Sequence, residues 1–175
     1  MVSWSDVKKW DPVPWDDLCA DLRNAHDSVV EQQQCLRDAL EELGTEYSTA
    51  AVRADDLEAA CTELDSQASD LDYLACATKD LADAVWEVRT AVRNAHTVVV
   101  GYRELSITSA GDVICAPANS GDDGYARQLR DAQAEANGHI SAALRIAADA
   151  DQIYFTKLLT VHDDFNAVAS GLFPQ

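Results

Sequence analysis

The segment from Thr45 to Val100 contains neither proline nor glycine, the two residues that most often end or distort an α-helix. Along it, leucine and valine recur at intervals of three, four and seven residues, which places them on one face of a helix. These apolar positions are Leu57, Leu64, Leu71, Leu74, Leu81, Val85, Val88 and Val92. The sequence therefore predicts one long helix over residues 45–100.

A second set of apolar residues at helical spacing precedes this helix, over residues 14–43. Pro14 suits the first turn of a helix, where its missing N–H costs no hydrogen bond. The set consists of Leu18, Leu22, Ala25, Val29, Leu36, Leu40 and Leu43. Gly44 and Thr45 then favour a tight turn, so we expect the two helices to form an elongated antiparallel hairpin.

The pattern changes after Val100. Residues 101–121 alternate apolar and polar positions around a glycine, which predicts a short extended or β-hairpin-like segment. Residues 122–161 return to helical spacing and predict a third long helix, with residues 162–175 as a tail. Residues 1–13 form a tryptophan-rich segment, and Pro12 and Pro14 separate it from the helix that follows. We therefore expect a single all-α domain over residues 1–175.

The charge of the chain excludes several kinds of partner. There are 31 acidic and 13 basic residues, which gives a formal net charge of −18. Binding to nucleic acid requires a basic face, so we expect no nucleic-acid partner. The same charge disfavours docking on an anionic membrane surface, and we expect no membrane insertion, because no run of about 20 apolar residues occurs.

The five cysteines permit two interpretations. They can be small buried residues in a reducing cytosol, or they can form disulfides in an exported protein. On the predicted hairpin Cys35 lies level with Cys61, and Cys19 lies level with Cys76. Position around the helix axis favours the Cys35–Cys61 bridge over the Cys19–Cys76 bridge, and Cys115 is left free or bonded to another chain.

Three of the four tryptophans, Trp4, Trp10 and Trp15, lie within the first fifteen residues. They can pack across the ends of the hairpin against the third helix. Alternatively they can contact a protein partner, because tryptophan is enriched where binding energy concentrates. The fourth, Trp86, lies among the apolar positions of the second helix, so we expect it in the bundle core or at a contact between two helices.

No pattern of residues in the sequence predicts catalysis or a bound cofactor. None of the four histidines has the spacing of a metal site, and no serine lies in a Gly-x-Ser-x-Gly context. The many carboxylate pairs are expected on the solvated faces of an acidic helical protein. We therefore expect no catalytic, cofactor-binding or metal-binding residues, and a protein that is not an enzyme.

The turn of the predicted hairpin resembles that of the WXG (ESX-type) substrates of type VII secretion. These are helical hairpins with a Trp-x-Gly turn that is usually followed by x-Ala-Ala. Here Glu46 stands at the tryptophan position, Tyr47 follows it, Ser48 stands at the glycine position, and Ala50 and Ala51 match. The segment from Val2 to Pro12 is similar to the lead-in of helical N-terminal domains on actinobacterial exported toxins and hydrolases. The segment from Ile107 to Val113, followed by a further helix, also fits their layout.

This resemblance implies a function and a location. It implies a non-enzymatic substrate of type VII secretion, or its N-terminal targeting domain, which pairs with a small helical partner. It also implies export without a signal peptide, and the N-terminus carries no ordinary one. The export signal of the family, Tyr-x-x-x-Asp/Glu, does not occur, so either a partner or a further segment supplies it, or the protein is not exported by this route. The alternative is an acidic cytoplasmic binding module, such as an immunity protein or a chaperone for a basic effector.

Overall fold

The computed structural model confirms the all-α class with one small strand pair. It describes residues 2–44, 51–117 and 123–172, with side chains described over 2–42, 55–117 and 123–161. The elements, in chain order, are α1 (Trp4–Val7), α2 (Val13–Gly44), α3 (Ala51–Val100), β1 (Leu105–Ile107), β2 (Val113–Cys115) and α4 (Asp123–Leu172).

The predicted bounds differ from the observed ones mainly at the end of α4. This helix continues to Leu172, past position 161, where we expected a tail to begin. The physical reason is that no proline or glycine occurs between Gly138 and Gly171, so nothing in the chain ends the helix earlier. The motif window of Glu46, Tyr47, Ser48 and Ala50 lies outside the described residues, and for Ala51 only the backbone at the start of α3 is described.

The chain divides into two compact units. The first contains Met1–Trp15 and Asp80–Phe155, and the second contains Asp16–Lys79 and Thr156–Gln175. Helices α2, α3 and α4 each contribute to both units.

In the second unit, α2 and α3 form the antiparallel hairpin that the sequence predicts. Cys19 donates its S–H to the carbonyl of Ala75 at 3.5 Å, and Gln33 donates its side-chain amide to the carbonyl of Cys61 at 3.4 Å. The Gln33 amide also donates to the carboxylate of Asp65. As residue numbers rise along α2, those of the partners fall along α3, which fixes the antiparallel direction.

The face that α2 turns towards α3 keeps four of the predicted positions but is rotated by less than one residue, so that Cys19 and His26 take the places of Leu18 and Ala25. Leu18 is 38 % exposed, whereas Cys19 is 4 % exposed and Gln33 is 6 % exposed. From Cys19 onward the less exposed positions along α2 are Cys19, Leu22, His26, Val29, Gln33, Leu36 and Leu40, with Ala39 beside the last of them. This face repeats every three or four residues without the gap that the apolar residues alone leave between Val29 and Leu36.

This rotation explains why the predicted disulfides are wrong. All five cysteines lie within the described part of the chain, and all are free thiols. Gln33 faces Cys61, so Cys35, two residues further along α2, points about 200° away and is exposed. Cys76 is likewise exposed, because its neighbour Ala75 faces Cys19. The sequence predicted correctly which cysteines lie level along the hairpin, to within two residues, but it did not predict the directions in which their side chains point.

The thiols give a testable prediction. In the folded protein Cys35, Cys76 and Cys115 should react rapidly with a thiol reagent, while Cys19 and Cys61 should react slowly because they are buried. Unfolding without reductant should release all five thiols, as counted by absorbance or by mass spectrometry of the alkylated protein. A count of three or fewer would show that a disulfide has formed.

In the first unit, the core is a layer of small side chains between the C-terminal half of α3 and the N-terminal half of α4. Ala95, Ala136, Ala143 and Ala147 are completely buried, and Val88 lies among them. Alanines at helical spacing let two helices approach closely, and larger side chains then fill the ends of the interface. The largest of these is Trp4 of α1, which is 1 % exposed.

The strand pair lies on this core and is held by α4. Strands β1 and β2 are antiparallel, with Leu105 opposite Cys115 and Ile107 opposite Val113. The side chain of Gln133 donates to the carbonyl of Val113 at 2.6 Å, and the N–H of Val113 donates to the Asn137 side chain at 3.4 Å. Side chains of α4 therefore bind β2 in place of a third strand.

Candidate functional site

The segment that joins α1 to α2 is fixed against α3 and places Trp10, together with Trp15 in the first turn of α2, at the surface of the first unit. Pro12 is among the most completely buried residues of the chain. Beside it, Arg89 of α3 donates to the carboxylate of Asp11 at 3.3 Å. The proline restricts the backbone and the ion pair fixes its direction, so the side chains on either side have a defined position.

These contacts form one side of a cleft of about 530 Å³, the Trp10–Trp15 cleft, which lies entirely within the first unit. The residues that line it come from the joining segment, the start of α2, α3 and α4: they are Lys9, Trp10, Asp11, Pro14, Trp15, Leu81, Val85, Asp151 and Tyr154. Most of this lining is apolar, with two carboxylates and one ammonium group among it. Such a composition is typical of a surface that binds another molecule.

Two aromatic rings in the cleft stand nearly perpendicular to each other. The ring centroids of Trp15 and Tyr154 are 5.7 Å apart, with an angle of 75° between their planes. Leu81 and Val85 lie beneath them, at 7 % and 1 % exposure, and Ala150 completes this small apolar cluster. The cleft therefore has buried aliphatic side chains beneath half-buried aromatic ones.

The structure separates the three N-terminal tryptophans that the sequence grouped as partner contacts. Trp10 and Trp15 are half-buried and line the cleft. Trp4 cannot serve as a partner contact in this fold, because it is 1 % exposed and lies within the core. Its ring also stacks on His96, with the centroids 6.2 Å apart.

Trp86 is not in the core, which was one of the two places that the sequence predicted for it. It is 45 % exposed, and the guanidinium of Arg89 lies over its ring at 5.9 Å from the centroid. With Asn94 and His139 it lines a shallow groove of about 320 Å³. Its position could have been anticipated, because Val85 and Val88 define the buried face and Trp86 is rotated about 100° from Val85.

Tyr154, like Asp151, is a cleft residue that the sequence did not identify. It lies one turn after Asp151 on α4, within a stretch that the pattern identified only as helical. In the sequence, Tyr154 is flanked by the apolar residues Ile153 and Phe155, so nothing distinguishes it as the residue of this stretch that faces a cleft. In the structure these two neighbours are 54 % and 63 % exposed. What distinguishes Tyr154 is its ring contact with Trp15, which exists only in the folded chain.

Helix α1 is held in place by a local hydrogen-bond arrangement at its start. The carboxylate of Asp6 accepts the hydroxyl of Ser3 at 2.6 Å and its backbone N–H at 3.0 Å. Both bonds lower the pKa of Asp6 from its ordinary value of 3.8, and the bond from the hydroxyl contributes most.

Elsewhere in the unit, the Tyr125 hydroxyl donates to Glu104 at 2.8 Å, and that bond raises the pKa of Tyr125.

The lowered pKa of Asp6 has a predictable effect on stability. A depressed folded-state pKa stabilises the protein above the unfolded pKa, and this contribution is lost as the pH falls through the folded value. Changing Ser3 to alanine should therefore raise the pKa of Asp6 and make α1 less stable near neutral pH. NMR titration of the Asp6 carboxyl carbon measures this, and an unchanged pKa in the variant would contradict the role of Ser3.

Within the described residues, no group of three or more histidine, cysteine or acidic side chains is placed to hold a metal ion. None of the helices in the described ranges combines the length and apolar character needed to cross a bilayer. Compared with models of known protein families, with curated proteins and with solved structures, the chain matches none.

Proposed function

We propose that this chain is a non-enzymatic helical domain that acts by binding a protein partner at the Trp10–Trp15 cleft. The observation that carries the proposal is the presence of two half-buried tryptophans in an apolar cleft. Tryptophans in such positions contribute a large share of binding energy at protein interfaces. The non-enzymatic part of the proposal rests on the sequence, which contains no catalytic pattern.

The more specific form of the proposal is a type VII secretion substrate, or the targeting domain of one. It is supported by the resemblance of the sequence to that family and by two features of the layout: α2 and α3 run antiparallel, and the strand pair precedes a further helix. In this form the partner is a small helical protein that pairs with the chain before export. The cysteines add no support to it, because the predicted disulfides do not form.

A secretion assay tests this form. A tagged copy of the chain is expressed in its native host, with and without the type VII secretion ATPase, and is quantified in cells and in culture filtrate. We expect the chain in the filtrate only when the ATPase is present. Retention in the cells of both strains would overturn the export proposal.

Paired variants connect export to the cleft. The double variant Trp10→Ala/Trp15→Ala should reduce the exported fraction, because the partner loses its contact surface. Trp86→Ala removes an exposed tryptophan of the same unit outside the cleft and is the matched control, which should be exported like the parent chain. Equal export of the parent chain, the double variant and Trp86→Ala would mean that export does not depend on the cleft.

A second candidate is an acidic cytoplasmic binding module for a basic partner. The net charge of −18 and the five free thiols favour it, because the reducing cytosol keeps thiols free. Its complex with a basic protein should weaken steeply as NaCl is raised, since charge attraction between exposed groups is screened. Isothermal titration at several salt concentrations would show this, and an affinity independent of salt would argue against it.

A further inference from the structure

We propose, on the basis of the proposed protein-binding function, that the Trp10–Trp15 cleft takes a cationic side chain, arginine or lysine, from the partner. Three features of the cleft bear on the chemistry of its occupant. They are the aromatic walls, the apolar floor and the charges at the rim.

The aromatic walls favour a cation. Trp15 and Tyr154 stand at 75° to each other, and Trp10 lines the same cleft, so three aromatic side chains border one space. The face of an aromatic ring carries negative charge density and attracts a guanidinium or an ammonium group. The chain already shows this contact once, where Arg89 lies over Trp86.

The floor of the cleft suits the stem of a long side chain. Leu81 and Val85 are buried beneath the rings and present only aliphatic atoms. The methylene groups of arginine or lysine pack on such surfaces while the charged head remains at the rim. A volume of about 530 Å³ leaves room for the stem and for adjoining partner backbone.

The charges at the rim determine where the head would lie. Asp11 is paired with Arg89, whereas Asp151 has no ion-pair partner among the described residues. Asp151 lies one turn before Tyr154 on α4, so its carboxylate borders the aromatic space and is available to a cation. Lys9 also lines the cleft and opposes a cation, but the net charge of −18 favours a cationic partner.

Substitutions of Lys9 and Asp151 therefore test the sign of the charge on the occupant. For a cationic occupant, Asp151→Asn should weaken binding and Lys9→Met should strengthen it. For an anionic occupant both signs reverse, and for an uncharged apolar occupant neither substitution has much effect. Asp149→Asn is the matched control, because Asp149 is an exposed acid of the same helix, paired with Arg145 and outside the cleft.

The experiment uses the whole chain and three small probes of similar length: n-butylguanidinium, pentanoate and pentan-1-ol, at constant ionic strength. Binding is followed by NMR through the indole N–H signals of the four tryptophans, assigned with single Trp→Phe variants. We expect butylguanidinium to shift the Trp10 and Trp15 signals saturably, and more than the signal of Trp86. Asp151→Asn should weaken this binding roughly threefold to tenfold, Lys9→Met should strengthen it about twofold to threefold, and Asp149→Asn should leave it unchanged.

Equal unfolding midpoints would show that the exposed variants remain folded. If pentan-1-ol bound as well as butylguanidinium and Asp151→Asn had no effect, the cationic occupant would be overturned, and the cleft would remain a binding site for apolar partners. If pentanoate bound best, the assigned charge would be wrong. If no probe shifted Trp10 or Trp15, the inference would fail, and the secretion assay would still decide the proposed function independently.

Discussion

Changing Trp4 to alanine is expected to lower the free energy of unfolding by about 3–5 kcal/mol, the usual cost of deleting a large buried aromatic side chain. Trp4 is 1 % exposed, belongs to the main core of the first unit, and stacks on His96. Its removal leaves a cavity that the small alanines around it cannot fill. Urea titration followed by circular dichroism measures the loss.

The control for this prediction is Trp86→Ala. Trp86 is 45 % exposed, so the same change in side-chain size should cost less than about 1 kcal/mol. The comparison isolates burial, because both variants lose an indole from the same unit. Equal losses in the two variants would mean that the assignment of Trp4 to the core and of Trp86 to the surface is wrong.

The two glycines Gly111 and Gly138 should respond to alanine with opposite signs. Gly111 has φ of 97°, and an added Cβ would lie 2.9 Å from the Cβ of Trp4 and 3.0 Å from its Cγ. We expect Gly111→Ala to cost about 2–4 kcal/mol, from the left-handed backbone and from the clash with the core. Trp4 is fixed by its own packing and cannot give way cheaply.

Gly138→Ala is the matched change in the other direction. Gly138 lies inside α4, and an added Cβ would meet nothing within 4 Å. Alanine should therefore raise the free energy of unfolding by about 0.5–1 kcal/mol, because it reduces the backbone freedom of the unfolded chain. The same urea titrations measure both variants. A loss at Gly138 or a gain at Gly111 would contradict the described backbone.

Much of the helical architecture could be predicted because it depends on local properties of the chain. The absence of proline and glycine over residues 45–100 favours one continuous helix, and the apolar spacing favours burial of one face. The level of residues along the hairpin follows from the fixed rise per residue. Cys19 does lie level with Ala75, and Gln33 with Cys61, within a residue or two of the predicted pairs.

The candidate site could be predicted only in part. The sequence identified Trp10 and Trp15 as contact residues, and the cleft contains both. It also grouped Trp4 with them, and it missed Tyr154 and Asp151. No local pattern distinguishes these cases, because the burial of a tryptophan depends on which distant helix covers it. The N-terminal tryptophans are far in sequence from α4, so their neighbours are set by tertiary packing.

By itself, then, the sequence determined the helices, the strand pair, the antiparallel hairpin and the acidic surface, since each depends on composition or on spacing along a single element. The tertiary structure decided the rotation of each helix about its axis. A rotation of α2 by less than one residue relative to the predicted face brings Gln33 to the interface and leaves Cys35 exposed. It was therefore packing between helices that left the cysteines unbonded, buried Trp4 and opened the cleft beside Trp10 and Trp15.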